Sequence, residues 1–234
     1  MHGTITYSTH KFDYLLRFSN RRTMAITVYP NGAVEVIAPR GTAQREVEMR
    51  LRRRARWVLR QRLHFEQFRP RSPARRYVGG ETHLYLGRQY RLKLTRSKGE
   101  TIKLKGPYLR VTSPSCADAS HVKKLVTAWY REKANVRLRE RFDAISPRFI
   151  LLGYTPSPPI LRSMPRRWGS YNSTGRVLLN PDLIRAPVPC IDYVITHELV
   201  HIVHPNHGPK FYELLEALMP DWLSRKARLE QILS

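Results

Sequence analysis

His197-Glu198-Leu199-Val200-His201, continued by Ile202-Val203-His204-Pro205-Asn206-His207-Gly208-Pro209-Lys210-Phe211, is the stretch on which the rest of the chain is organised. On a helix, residues four apart stand one turn above each other with Cβ atoms about 5–6 Å apart, so the rings of His197 and His201 can reach one cation. Glu198 lies off that line, where a carboxylate can take a proton from a water beside the cation, as in metal-assisted hydrolases. Catalytic zinc takes a third protein ligand and keeps one position open, and two residues compete for that role. His204 precedes Pro205, and the residue before a proline is pushed out of helical geometry, so the helix is expected to end at about Val203. His207 comes after the turn at Pro205-Asn206 and can return toward the helical rings from another direction, which favours it as third ligand of a single Zn2+.

Outward from the motif, Ile191, Tyr193, Val194 and Ile195 form an apolar run that predicts a buried helix starting near Cys190. Two histidines and a glutamate on such a helix are costly without a metal or polar partners. Upstream, Ile160-Leu161 and Arg176 to Leu179 predict one or two strands, with a turn at Asn180-Pro181-Asp182. Before them, Ser120 is the expected cap of a helix to about Ala144, ended by Pro147, with Val122, Leu125, Val126, Trp129, Val136 and Leu138 as its buried stripe. Downstream, Phe211, Leu214, Leu215 and Leu218 predict one more helix, and Pro220-Asp221 opens a last one to about Ile232.

The N-terminal half reads differently. Tyr14, Leu16 and Phe18, then Ala25 to Tyr29, then Val34, Val36 and Ala38 alternate around Pro30-Asn31-Gly32, a hairpin signal, so antiparallel strands are expected. Thr42 is the expected N-cap of a helix with Glu46 and Glu48 in its early turns. That helix, 43–68, has Val47, Leu51, Ala55, Val58, Leu59 and Leu63 on one face and arginines on the other. Residues 45–76 hold twelve arginines against three glutamates. Such a basic amphipathic helix suits nucleic acid, an acidic partner or solvent alone, and its pattern does not choose among them. Beyond Pro70-Arg71-Ser72-Pro73, alternation over Glu81–Gly87, Tyr90–Leu94, Thr101–Leu104 and Tyr108–Val111 predicts about four further short strands. No internal repeat is legible. The expected fold class is α+β, with a β-rich region and basic helix over 1–115 and the metal-site region over 116–234.

With 42 Lys and Arg against 18 Asp and Glu, the chain carries a formal charge of +24, which attracts polyanions. Cys116 and Cys190 are too few for a disulfide framework, the N-terminus lacks a signal-peptide pattern, and no stretch approaches a membrane span, so a cytoplasmic protein with no membrane partner is expected.

Arg162, Met164, Arg167, Trp168, Gly169 and Ser170, then Leu179-Asn180, Asp192-Tyr193-Val194, the HExxH motif and Asn206-His207 with Phe211, resemble the YgjP-like metallopeptidases, relatives of the SprT-like and Spartan proteases. Arg21-Arg22, Pro39, Trp57, Leu86-Gly87 and Trp129 extend the resemblance over nearly the whole chain. The resemblance implies a small zincin fold, zinc on His197, His201 and His207, and Glu198 as the catalytic carboxylate. The family usually has cysteine after Trp-Gly-Ser; here Tyr171 stands in its place. Trp168-Gly169-Ser170 has two readings: a bulky aromatic packed beside a glycine turn near the active-site helix, or, with Arg166 and Arg167, a wall in which Arg166, Arg167, Trp168 and Ser170 line the substrate cleft and bind an anionic group or a developing oxyanion, with Tyr171 and Tyr193 as further donor candidates. The expected activity is peptide hydrolysis. Relatives described as UTP pyrophosphatases make a nucleotide the alternative substrate, and a nucleic-acid-associated binding module is a third reading.

Overall fold

Alternation in the first half becomes eight strands arranged as two four-stranded sheets. The computed structural model describes residues 2–29, 32–66, 75–165, 167–172 and 174–233. Strands β1 (His2–Tyr7), β2 (His10–Ser19), β3 (Ala25–Val28) and β4 (Val34–Pro39) form the first sheet in the order β1-β2-β4-β3. Strands β5 (Thr82–Tyr85), β6 (Arg88–Thr95), β7 (Thr101–Lys105) and β8 (Tyr108–Thr112) form the second in the equivalent order, β5-β6-β8-β7. Each sheet is succeeded by a long helix, α1 (Gln44–Glu66) and α2 (Ala119–Ile145). A four-strand-and-helix arrangement therefore recurs without any repeat visible in the residues.

The expected antiparallel pairing holds for the hairpins, but the central pair of each sheet, β2 with β4 and β6 with β8, is parallel. Turn residues dictate only which neighbours form a hairpin. Where two hairpins meet is decided by the apolar faces they bury together. Pro30 and Asn31, the core of the expected first hairpin turn, lie outside the described residues.

Two compact units result, Met1–Ser72 and Pro73–Leu233. Strands β5–β8, expected from the sequence to belong with residues 1–115, pack instead with elements C-terminal to them. Leu86 and Gly87 donate their N–H groups to the carbonyls of Ile184 and Arg185 at 2.9 and 3.0 Å, and the Tyr130 hydroxyl donates to the Leu84 carbonyl at 2.6 Å. Gly87 has φ +78°, and a Cβ there would lie 2.7 Å from Pro187 Cγ, so only glycine allows this approach.

In the first unit, α1 buries Val47, Leu51, Ala55 and Val58 with Tyr14, Leu16 and Val36 of the sheet. Leu63, expected on that stripe, is exposed. In the second unit, Asp118 rather than Ser120 caps α2, its carboxylate accepting the Ser120 N–H at 2.8 Å. Val136 is exposed. The buried set is instead Val122, Val126, Trp129, Tyr130, Ala134, Leu138, Phe142 and Ile145, because one side of α2 faces the sheet and another faces the helix carrying the histidines. Pro147 ends α2 as expected and starts a short α3 (Pro147–Ile150).

A small third sheet has the order β10-β11-β9, from β9 (Ile160–Leu161), β10 (Gly169–Tyr171) and β11 (Val177–Leu179). A short 3-10 turn, Pro181–Arg185, then leads to α4 (Val188–Val203), α5 (Pro209–Leu218) and α6 (Trp222–Leu233).

Candidate metal centre

Helix α4 carries the first half of the site. Pro187 and Pro189 open it, where a missing N–H costs nothing, and Ile191, Ile195, Leu199 and Val200 bury it in the core. The helix stops at Val203. His204 has left helical geometry (φ −127°, ψ 97°), as its place before Pro205 requires, and its carbonyl lies 3.2 Å from His201 Nδ1. That contact turns the opposite ring nitrogen of His201 toward the cleft and gives His204 a role through its backbone.

Past the turn, His207 returns to the helix. Ring nitrogens of His197, His201 and His207 all lie within 4.8 Å of one another, with Nε2 of His197 and His207 3.0 Å apart. Nitrogens about 2.0–2.1 Å from one tetrahedral zinc would stand about 3.4 Å apart, so the three residues fit the ion. Phe211, fully buried on α5, packs against all three rings with centroid separations of 5.0, 4.7 and 4.6 Å and fixes their tilt. Burial, then the neighbouring His207 and His201, push His197 down to about 3, and burial lowers His207 as well. Both rings are therefore neutral with free lone pairs, as metal ligation requires.

Glu198 projects from the same helix into the cleft wall and is 7 % exposed. Burial raises its carboxyl to about 7, against the opposing pull of the Tyr171 backbone N–H and the Arg167 charge. A Cβ on Gly169 would stand 2.6 Å from Glu198 Cγ, 2.7 Å from its Oε1 and 2.9 Å from Val194 Cγ1. Glycine at 169 is thus what lets the carboxylate lie against β10. Nothing local in the sequence marks Gly169 as facing a residue 29 positions away.

The cleft holds about 700 Å³, and Arg167, Ser170, Tyr171 and Asn172 line it together with the histidines and Glu198. Of the expected substrate-binding residues, Arg167 and Ser170 are on this wall. Trp168 is half-buried and packs against the core, the packing role of the two readings, and its carbonyl accepts the Asn180 N–H at 2.9 Å. Arg166 lies outside the described residues. Tyr171 lines the cleft, whereas Tyr193 is buried between His197 and Trp222. Asn180, 5 % exposed, donates from Nδ2 to the carbonyls of Met164 at 2.8 Å and Arg167 at 3.1 Å. It holds the loop that delivers Arg167.

The model of the family described as YgjP-like, metallopeptidase domain, matches residues 22–232. The chain belongs to the YgjP-like family. A metallopeptidase domain implies a metal ion and a hydrolase of metallopeptidase type, and the cluster of His197, His201 and His207 could hold that ion. No curated protein and no solved structure matches the chain. Among the described residues of this YgjP-like chain, no helix is long and apolar enough to cross a membrane.

Proposed function

We propose that this chain is a one-zinc peptidase in which His197, His201 and His207 hold the ion and Glu198 is the general base. One observation carries the reading: three imidazoles, two of them from α4, converge beside a buried carboxylate of that helix. When bound, zinc supplies Lewis acidity, polarising a carbonyl oxygen and lowering the pKa of water toward about 7. Glu198 takes the proton of the attacking water at its carboxylate and returns it to the leaving amine, as a base with a pKa near neutrality does best. The Tyr171 N–H steadies that carboxylate, Gly169 makes room for it, and Arg167 with Ser170 orients the acyl side of the substrate. All of these side chains lie in residues 116–234, and the compact unit that carries them, Pro73–Leu233, also includes β5–β8. The free thiols of Cys116 and Cys190 suit a reducing, cytoplasmic setting.

Arg167, exposed on the cleft wall, supports a second reading on the same site: cleavage of a nucleoside triphosphate such as UTP between its phosphates. Incubating zinc-loaded protein with casein and with UTP separates the two. Peptide release with intact UTP is expected; pyrophosphate release with intact casein replaces peptidase by pyrophosphatase. In either assay, Glu198→Gln should lower turnover about a hundredfold or more while metal content by elemental analysis is unchanged. Full activity in that variant removes Glu198 as the base.

A further inference from the structure

The first unit has a groove of its own, remote in sequence from the histidines, and the proposed peptidase chemistry does not use it. It holds about 390 Å³ and is lined by Met24, Ile26, Arg50, Arg53, Arg54 and Trp57. The last four occur at positions i, i+3, i+4 and i+7 of α1, so they form one continuous strip beside the buried stripe of Val47, Leu51, Ala55 and Val58. Met24 and Ile26 come from the first sheet's edge strand β3 and the residue preceding it. Trp57 is half-buried, anchored against the core of its unit and still lining the groove. Arg50 is paired with Glu46 at 2.6 Å, whereas Arg53 and Arg54 are exposed and make no ion pair among the described residues. An apolar, aromatic floor under unpaired guanidinium groups is complementary to a flat apolar group linked to an anion.

We propose that this groove binds single-stranded nucleic acid, a base lying against Trp57, Met24 and Ile26 while Arg53 and Arg54, with Arg50, contact the flanking phosphates. Base–aromatic stacking accepts any sequence, and arginines supply the phosphate contacts. A duplex keeps its base faces stacked inside and offers Trp57 nothing. An acidic peptide satisfies the arginines but places no planar group on the floor at each charge. The inference does not depend on the metal site.

The test is fluorescence anisotropy of fluorescein-labelled oligo(dT) and oligo(U) twelve-mers with the full chain in EDTA, from about 50 to 200 mM salt, where such contacts are most sensitive. Removing both free guanidinium groups (Arg53→Ala with Arg54→Ala) should weaken binding at least about tenfold and reduce the log–log salt slope by about 1.4, two contacts at about 0.7 each. Trp57→Leu, which keeps apolar packing, should weaken binding about fivefold or more at unchanged slope, and Trp57→Phe should recover most of that loss. Melting curves verify that each variant is folded. The proposal is overturned if the oligomers fail to bind, if a duplex of equal length binds as tightly, or if poly-glutamate competes as well as oligo(dT). It is equally overturned if the exposed pair Arg52→Ala with Arg56→Ala matches the loss from Arg53 and Arg54.

Discussion

Strands β1–β4 with α1, and strands β5–β8 with α2, share strand order, the parallel central pair and the helix that comes next, yet they carry different chemistry. Helix α1 buries a single narrow stripe and leaves Arg52, Arg53, Arg54 and Arg56 exposed. Helix α2 buries a wider arc that includes the adjacent Trp129 and Tyr130, because it is covered by its own sheet and by α4. Arg141 of α2 makes a bidentate bond to Asp192 of α4, both contacts at 2.8 Å, so even its charge is turned to holding the metal helix. Strand topology therefore does not assign a role. A helix with one apolar face offers its other face to solvent and ligands, whereas a helix with two becomes the support of a site built on its neighbour.

The largest expected effect is in the second arrangement. His207→Ala should abolish stoichiometric zinc and activity together, read by elemental analysis and turnover, whereas Arg52→Ala with Arg56→Ala on α1 should leave both unchanged. Activity lost equally in the α1 variant breaks the division of labour. Next, Gly169→Ala should lower kcat about a hundredfold with zinc retained, because its Cβ displaces the Glu198 carboxylate, and misplacement by about 1 Å costs that much. Unchanged kcat in that variant would show that Glu198 has room to move.

A matched pair sharpens the comparison further. Leu51→Ala in α1 and Leu138→Ala in α2 both empty fully buried positions and should each cost about 2–5 kcal/mol in denaturant unfolding. Only Leu138→Ala should also raise the zinc dissociation constant, since α2 backs α4. The smallest effect is one of pH. Burial, then the Arg75 charge, hold His83 at about 4 against its ordinary 6.5, although Glu81 pulls the other way. The unfolded chain thus takes up this proton at higher pH than the folded one. The stability gained by keeping the ring neutral is complete above about pH 6.5 and is lost as pH falls toward about 4. Urea midpoints at neutral pH and near pH 5 should differ more in the native chain than in His83→Gln, and equal differences would remove His83 as the source.

Residue spacing alone carried the metal cluster a long way. The four-residue interval between His197 and His201, and the proline that stops the helix at Val203, already favoured His207 over His204. Both are local rules of helix geometry. Strand positions were legible for the same reason, since alternation has period two whatever the partner. Partnership was not legible. The parallel pairings of β2 with β4 and β6 with β8 join segments whose turn residues say nothing about each other. The cleft wall was half legible: Arg167 and Ser170 line it, whereas Trp168, three positions before Tyr171, packs against the core.

By itself, the sequence determined the α+β class, the three imidazoles, the acid beside them and the arginine-clad face of α1, because each arises from periodicity, capping or charge within a few residues. Only the tertiary structure decided that β5–β8 belong with the metal-site elements, that Gly169 clears space for Glu198, that Phe211 supports all three rings, and that Trp57 shares a groove with Arg53 and Arg54. Those facts depend on segments far apart in the chain meeting in space, where burial of one against another, and not any local preference, chooses the neighbour.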